Sequence, residues 1–137
     1  MKNKIRLGIL GGGGDSLIGI VHRIASSMHD SYEIIGGVFN PDYNENIKFA
    51  EEIGLSKNRV YSDYETMINE ELKLDESERI QVVSILTPNF LHFPMAKKLL
   101  ENNFNVICEK PMTTTYKEAQ VLESLYKSKS LTFAVTY

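Results

Sequence analysis

Four consecutive glycines, Gly11 to Gly14, are followed by Asp15 and Ser16 and stand between an apolar run and a stretch of helical periodicity. Such a loop turns tightly and lets a ligand approach bare backbone. With the free N–H groups of a helix start and the helix dipole behind it, the loop attracts an anion, by about 0.3–1 kcal/mol for each favourable contact at an exposed site. A dinucleotide site needs a first glycine for the turn, a second for approach of the pyrophosphate and a third for close helix packing. Gly11 and Gly13 meet the first two needs, and Gly14, Ser16, Leu17 and Ile18 complete the cradle as the helix opens. The third glycine is displaced, because the usual spacing falls on Ser16 and the helix glycine is Gly19, three residues later. The spacing therefore predicts a loop extended by three residues. Ser16 either caps the helix or offers its hydroxyl to phosphate, and Asp15 opposes an anion unless it turns away. A glycine run is also what a plain turn looks like; the strand before it and the amphipathic helix after it favour binding.

The residue that reads an adenosine ribose is expected at the end of the second strand, where this chain has Asn40. A carboxylate there would bind both ribose hydroxyls and repel a 2'-phosphate; a neutral Asn binds a hydroxyl without enforcing that exclusion. Asp42 offers a carboxylate but has a structural reason to be there as a turn residue after Pro41. NAD and NADP both remain open on these residues.

The elements that must position these groups alternate along the chain. Lys4 to Leu10 reads as a strand, and Leu17, Ile18, Val21, Ile24, Ala25 and Met28 recur at helical spacing. Tyr32 to Phe39 is a second strand, stopped by Asn40-Pro41-Asp42; a helix through Ile47, Ala50 and Ile53 ends at Gly54, which suits a left-handed cap. Val60 and Tyr61 make a short third strand, with Ser62 and Glu65 as a capping box for a helix through Met67, Ile68 and Leu72. After the charged connection Asp75 to Arg79, the run QVVSIL is apolar enough for a central strand covered on both faces. A helix with Met95, Ala96, Leu99 and Leu100 inward closes at Asn102-Asn103, and NVICE is the next strand. Thr115 and Glu118 form a capping box for a helix through Ala119, Leu122, Leu125 and Tyr126, and Leu131 to Tyr137 is the last strand. About six strands alternating with five helices predict an α/β fold, a doubly wound parallel sheet of Rossmann type with helices on both faces. Ligands bind such sheets beyond the carboxyl ends of the strands, where strand order reverses.

Bulk properties bound the function. At 137 residues the chain is one domain, and a hydrophobic share of 42% with 24% charged residues suits a globular protein rather than a disordered one. The net charge of −3 and the scattered lysines argue against nucleic acid as a partner. No apolar run is long enough to span a bilayer, and the start MKNKIRLGIL reads as a strand rather than a secretory signal, so neither membrane nor export is expected and the cytoplasm is. Cys108 is the single cysteine, which excludes an internal disulfide and a multi-cysteine metal site; in NVIC it reads as a small buried hydrophobe, and no metal is expected. The tyrosines Tyr43, Tyr61, Tyr64 and Tyr116 read as packing or surface positions.

The stretch TPNFLHFPMAKKLLENNFNVICEKP resembles the signature of the glucose-fructose oxidoreductase and inositol dehydrogenase family, Gfo/Idh/MocA. Thr87-Pro88-Asn89, His92, Ala96 and Glu109-Lys110-Pro111 keep that family's order and spacing, and Gly19 to His22 match its helix glycine and histidine. The resemblance covers essentially the whole chain; the extended GGGGDSLIG loop and the missing acid after the second strand depart from the commoner pattern. It implies NAD or NADP as cofactor, with Thr87, Pro88 and Asn89 along the nicotinamide ribose, Glu109 holding the ribose or orienting Lys110, and Pro111 and His92 completing the cofactor-binding set. His92, like His22, reads on its own as a hydrogen-bonded scaffold residue rather than an acid or base. Lys110 is the implied catalytic residue, since an ammonium beside a reacting alcohol stabilises the developing alkoxide or relays its proton. The Lys110–Pro111 bond is of a kind often cis in this family.

The resemblance further implies a C-terminal domain, absent from these residues, that binds a sugar, inositol or related polyol and makes a homo-oligomer. The chain ends at Tyr137 on an expected strand, which reads as a truncation; the fragment alone is expected to bind cofactor and turn over little. The alternative is a freestanding NAD(P)-sensing domain without chemistry. A reductase acting on an amino-acid semialdehyde fits Glu109-Lys110-Pro111 less well.

Overall fold

A computed structural model describes residues 3–137, with Met1 and Lys2 outside the described part. Strands β1 (Ile5–Gly11), β2 (Tyr32–Val38), β3 (Val82–Leu86), β4 (Asn105–Cys108) and β5 (Phe133–Val135) form one sheet in the order β2-β1-β3-β4-β5, every pairing parallel. The order reverses between β1 and β3, so the loops that follow these two strands flank the switch point. The helices are α1 (Leu17–Ser27), α2 (Tyr43–Glu52), α3 (Tyr64–Leu72), α4 (His92–Glu101) and α5 (Tyr116–Ser128).

Strand alternation divides the core. Leu10, Val83, Ile85, Val106 and Cys108 face α3, α4 and α5, packing on Met67, Ile68, Met95, Leu99, Leu100 and Leu122. Leu7, Ile9, Val82 and Leu86 face the opposite side, against Phe39, Phe49, Ala50 and the half-buried Ile18. All five residues of β3 are buried, as its apolar run predicts for a strand covered on both faces.

The expected third strand is the main correction to the reading of the elements. Val60 makes only an isolated parallel bridge to Gly37, so the sheet has five strands rather than six. The chain leaves this edge at once because Tyr61, whose N–H donates to Gly37 O, turns inward to the buried Glu71. There Glu71 accepts from Tyr61 Oη, from Arg59 Nε and Nη2 and from Ile80 N, which joins the loop, α3 and the approach to β3. Burial and the Glu71 carboxylate both push the Tyr61 phenol well above its ordinary value, so it stays a donor.

Helix ends follow local chemistry with one exception. Gly54 and Asn103 take left-handed conformations after α2 and α4, and the N–H groups of Leu55 and Phe104 reach back to Ala50 O and Leu99 O. Thr115 and Glu118 make the expected capping box of α5. The box expected from Ser62 and Glu65 does not form: Asp63 caps α3, accepting from Thr66 N, while Ser62 Oγ donates to Asp63. With a carboxylate one residue nearer the helix, the cap moves on by one residue and the N–H it accepts is that of Thr66 rather than Glu65.

Helix α1 departs from a simple amphipathic helix. Its only buried residue is Gly19, while Leu17, Ile20, Val21 and Ile24, and Met28 just after it, are exposed. At Gly19 the backbone of the helix lies against the loop that follows β1, where a Cβ would sit 1.8 Å from Gly12 O, and Ile18 adds a half-buried side chain. Gly19→Ala is therefore expected to lower stability by about 1–3 kcal/mol, the range for overpacking, and to displace the glycine loop; urea denaturation read by circular dichroism checks it. Leu99→Ala, at a fully buried position of α4, should cost about 2–5 kcal/mol in the same measurement without touching the loop.

Candidate nucleotide site at the carboxyl edge of the sheet

The loop Gly11–Ser16 leaves β1 at the switch point. Gly11 has a φ of +84° and passes the backbone of Leu86 and Thr87 so closely that a Cβ would sit 2.9 Å from Leu86 O. Gly13 lies against the end of β2, donating its N–H to Phe39 O at 3.1 Å. Gly19 is the close-packing glycine, so the loop does carry three extra residues before it. Ser16 is the N-cap of α1, its Oγ accepting from Gly19 N at 3.3 Å, whereas Asp15 is exposed and takes no part in the cap. The amides of Leu17 and Ile18, the first two of the helix, take no part in this cap.

Arg23, one turn further along α1, donates to Gly12 O at 2.7 Å, and its guanidinium lies 4.8 Å from the centre of the Phe49 ring. Burial lowers its pKa. It braces the loop from behind.

A cleft of about 540 Å³ opens between this loop and the ends of β2 and β3. It brings together Gly11 and Gly13 with Asn40, Thr87 and Pro88, and adds Asp63 and Tyr64, which the sequence reading left out of the site. Asn46, fully buried, sets the wall at β2: its Oδ1 accepts from Phe39 N and its Nδ2 donates to Tyr61 O, both at 2.7 Å. Asn40 Oδ1 accepts from Asp42 N at 2.8 Å, and Asp42 caps α2 by accepting from Asn44 N and Glu45 N. The Asp42 carboxylate is thus committed to the helix, the structural reason its turn position suggested.

Glu109 and Lys110 do not line that cleft. With His22, Ser84, Thr136 and Tyr137 they border a neighbouring one of about 380 Å³ on the α1 side of the sheet. Glu109 Oε1 accepts from His22 Nε2 at 2.9 Å and from the Thr136 hydroxyl. Partial burial acts to raise the Glu109 pKa, but the bonds from Thr136 and His22 outweigh it and hold the carboxyl below its ordinary value. His22 as the partner of Glu109, 87 residues away in sequence, is a contact the sequence reading did not supply. Lys110 is exposed at the mouth, and the Lys110–Pro111 bond is cis. Cys108, directly before, is buried, and its thiol is pushed up to about 12, first by burial and then by the Glu109 charge.

His92 ties together the loops that follow β3 and β4. Buried at the start of α4, it places Nε2 at 2.8 Å from Thr87 O and Nδ1 at 2.7 Å from Pro111 O. His92 reaches the Thr-Pro-Asn and Glu-Lys-Pro segments through their backbones and sits behind them. Asn89 and Pro111 are exposed, Asn89 opening a short 3₁₀ turn ahead of α4, and neither lines a cleft. No helix among the described residues is long and apolar enough to cross a membrane.

Comparison with known proteins agrees with this arrangement. The family model described as the oxidoreductase family with an NAD-binding Rossmann fold matches residues 5–137. An uncharacterised oxidoreductase of Bacillus subtilis, YfiI, is 36% identical over 138 residues, which take in 100% of this chain and 35% of that protein. Among solved structures, an oxidoreductase from Pseudomonas syringae superposes with a TM-score of 0.96 at 34% identity, covering 100% of this chain and 37% of the other. An inositol dehydrogenase homologue from Azotobacter vinelandii, solved with NADH and myo-inositol, does so with a TM-score of 0.95 at 34% identity, covering 98% and 35%. The chain thus spans about a third of the length of these relatives. With the glycine loop at the switch point and a family match across the whole sheet, this chain belongs to the Gfo/Idh/MocA family, as an NAD-binding oxidoreductase domain of Rossmann fold.

Proposed function

We propose that this domain holds the dinucleotide of an enzyme that transfers hydride to or from a hydroxyl-bearing carbon of a sugar, inositol or related polyol. The observation that carries the reading is that the glycine loop and Thr87 line one cleft and Glu109 and Lys110 another, while His92 ties together the loops after β3 and β4. Gly11–Gly14 and the amides of Leu17 and Ile18 would hold the pyrophosphate, with the dipole of α1 to meet its charge. Asn40 meets the adenosine ribose. Thr87, Pro88 and Asn89 flank the nicotinamide ribose, and Glu109 accepts from one of its hydroxyls. The inositol dehydrogenase homologue solved with NADH and myo-inositol supports a polyol as the substrate class.

The nicotinamide supplies the acceptor or donor of hydride when it is bound. Lys110 meets the substrate hydroxyl: its ammonium stabilises the alkoxide as the proton leaves, or carries that proton. Glu109, kept ionised by His22 and Thr136, presents a fixed negative acceptor beside it. The greater length of the relatives supports a further segment that binds the polyol and assembles the oligomer.

Titration of the chain with NADH, followed by nucleotide fluorescence, should show saturable one-to-one binding; no saturation would overturn the reading. In the longer protein, Lys110→Met is expected to slow hydride transfer by about 10²–10⁴-fold while leaving NADH affinity close to its original value, as rapid-mixing kinetics would show. Glu109 also contributes to stability. Its folded pKa is depressed, so the contribution is present above the ordinary Glu value, near 4.3, and is lost as pH falls through the folded value. Urea midpoints measured from pH 7 down to pH 3 should fall less steeply for Glu109→Gln than for the native chain.

A further inference from the structure

We infer that Arg23 is a positioning residue for dinucleotide binding: through Gly12 O and the Phe49 ring it fixes the Gly12–Gly13 peptide and keeps the glycine loop closed on the start of α1. The inference rests on the dinucleotide reading of this edge and adds to it a residue that lines neither cleft. Four glycines in a row have no side chains to choose among conformations, and Gly12 and Gly14 take positive φ, +68° and +55°. Bonds from outside the run must therefore set its shape.

Those bonds converge on one peptide. Its carbonyl, Gly12 O, accepts from Arg23 Nη1 at 2.7 Å, and its amide, Gly13 N, donates to Phe39 O at 3.1 Å. Ser16 N then donates to Gly13 O at 3.2 Å, so of these three ties only the one from Arg23 is made by a side chain. Gly12 is buried, and its oxygen lies so close to Gly19 that water could replace the guanidinium only by parting the loop from the helix. A buried carbonyl left without a donor is costly, and lifting the loop from α1 is the way to relieve it. The guanidinium is itself held. It lies 4.8 Å from the centre of the Phe49 ring, which packs at 5.2 Å on the ring of Phe39, the residue whose carbonyl takes Gly13 N. Arg23, Phe49 and Phe39 thus grip both ends of the peptide as one unit. No carboxylate among the described residues pairs with Arg23, and the bond it gives Gly12 O is charge-assisted.

The test compares the native chain with Arg23→Met, which keeps an apolar stem on Phe49 and removes the donor, and with Arg23→Lys, which keeps a cationic donor for Gly12 O. NADH titration followed by nucleotide fluorescence should show binding weaker by about tenfold or more in Arg23→Met and within about threefold of native in Arg23→Lys. Amide hydrogen exchange read by NMR separates positioning from a general loss of stability, which would speed the β3 amides as much as the loop. In Arg23→Met the Gly13 N–H should exchange faster by about tenfold or more relative to any change in β3, and in Arg23→Lys it should stay near its native rate. Arg23→Met binding NADH as tightly as the native chain, Gly13 exchange sped no more than that of β3, or Arg23→Lys as weak as Arg23→Met would each overturn the inference. Failure of the native chain to bind NADH would instead overturn the dinucleotide reading beneath it, and Gly13 exchange would still decide whether Arg23 holds the loop.

Discussion

The contact between Gly19 and the Gly12 carbonyl is the constraint from which the rest of the site follows. Because Gly19 has no Cβ, α1 lies with its backbone against the loop that leaves β1, and its first amides open over the carboxyl edge of the sheet. Any larger residue would lift the helix and carry those amides away from the switch point. The exposed side chains along α1 belong to the same arrangement: the helix is held by close backbone approach and by Arg23 on Gly12 O, with little side-chain burial. The geometry of the glycine loop and the packing of the helix are one feature.

A second tie fixes the other half of the edge. His92 sits behind the strand ends with a carbonyl oxygen at each ring nitrogen, one from Thr87 and one from Pro111. The two loops it joins come from neighbouring parallel strands, β3 and β4, which also share the bond from Glu109 N to Ile85 O. The side chains facing the clefts are thereby set from beneath by backbone contacts. His22 and Thr136 do the same for the Glu109 carboxylate, one from α1 and the other from the end of β5, so residues far apart in the chain orient one charged group.

The fold was legible because its signals are local. Periodicity marks the helices, the apolar run of β3 marks a strand covered on both faces, and glycine or asparagine after α2 and α4 marks left-handed ends. Val60 and Tyr61 misled as a strand since β-branched and aromatic residues favour extended backbone, while the outcome turned on the pull of buried Glu71. Ser62 and Glu65 have the pattern of a capping box, but Asp63 beside them starts the helix one residue later and takes Thr66 N instead.

By itself the sequence determined the order of elements apart from the expected third strand, the parallel doubly wound sheet, the glycine loop at its edge and the two segments, Thr87–Asn89 and Glu109–Pro111, that carry the family likeness. These follow from short-range pattern and from motifs whose residues are neighbours in the chain. Tertiary structure alone decided that Glu109 pairs with His22, that His92 holds two loops through their backbones, that Asp63 faces the cleft beside Asn40, and that α1 leaves its apolar side chains exposed. Each of these depends on which strand lies beside which, and that is settled only when buried side chains and backbone polar groups have all found partners in three dimensions.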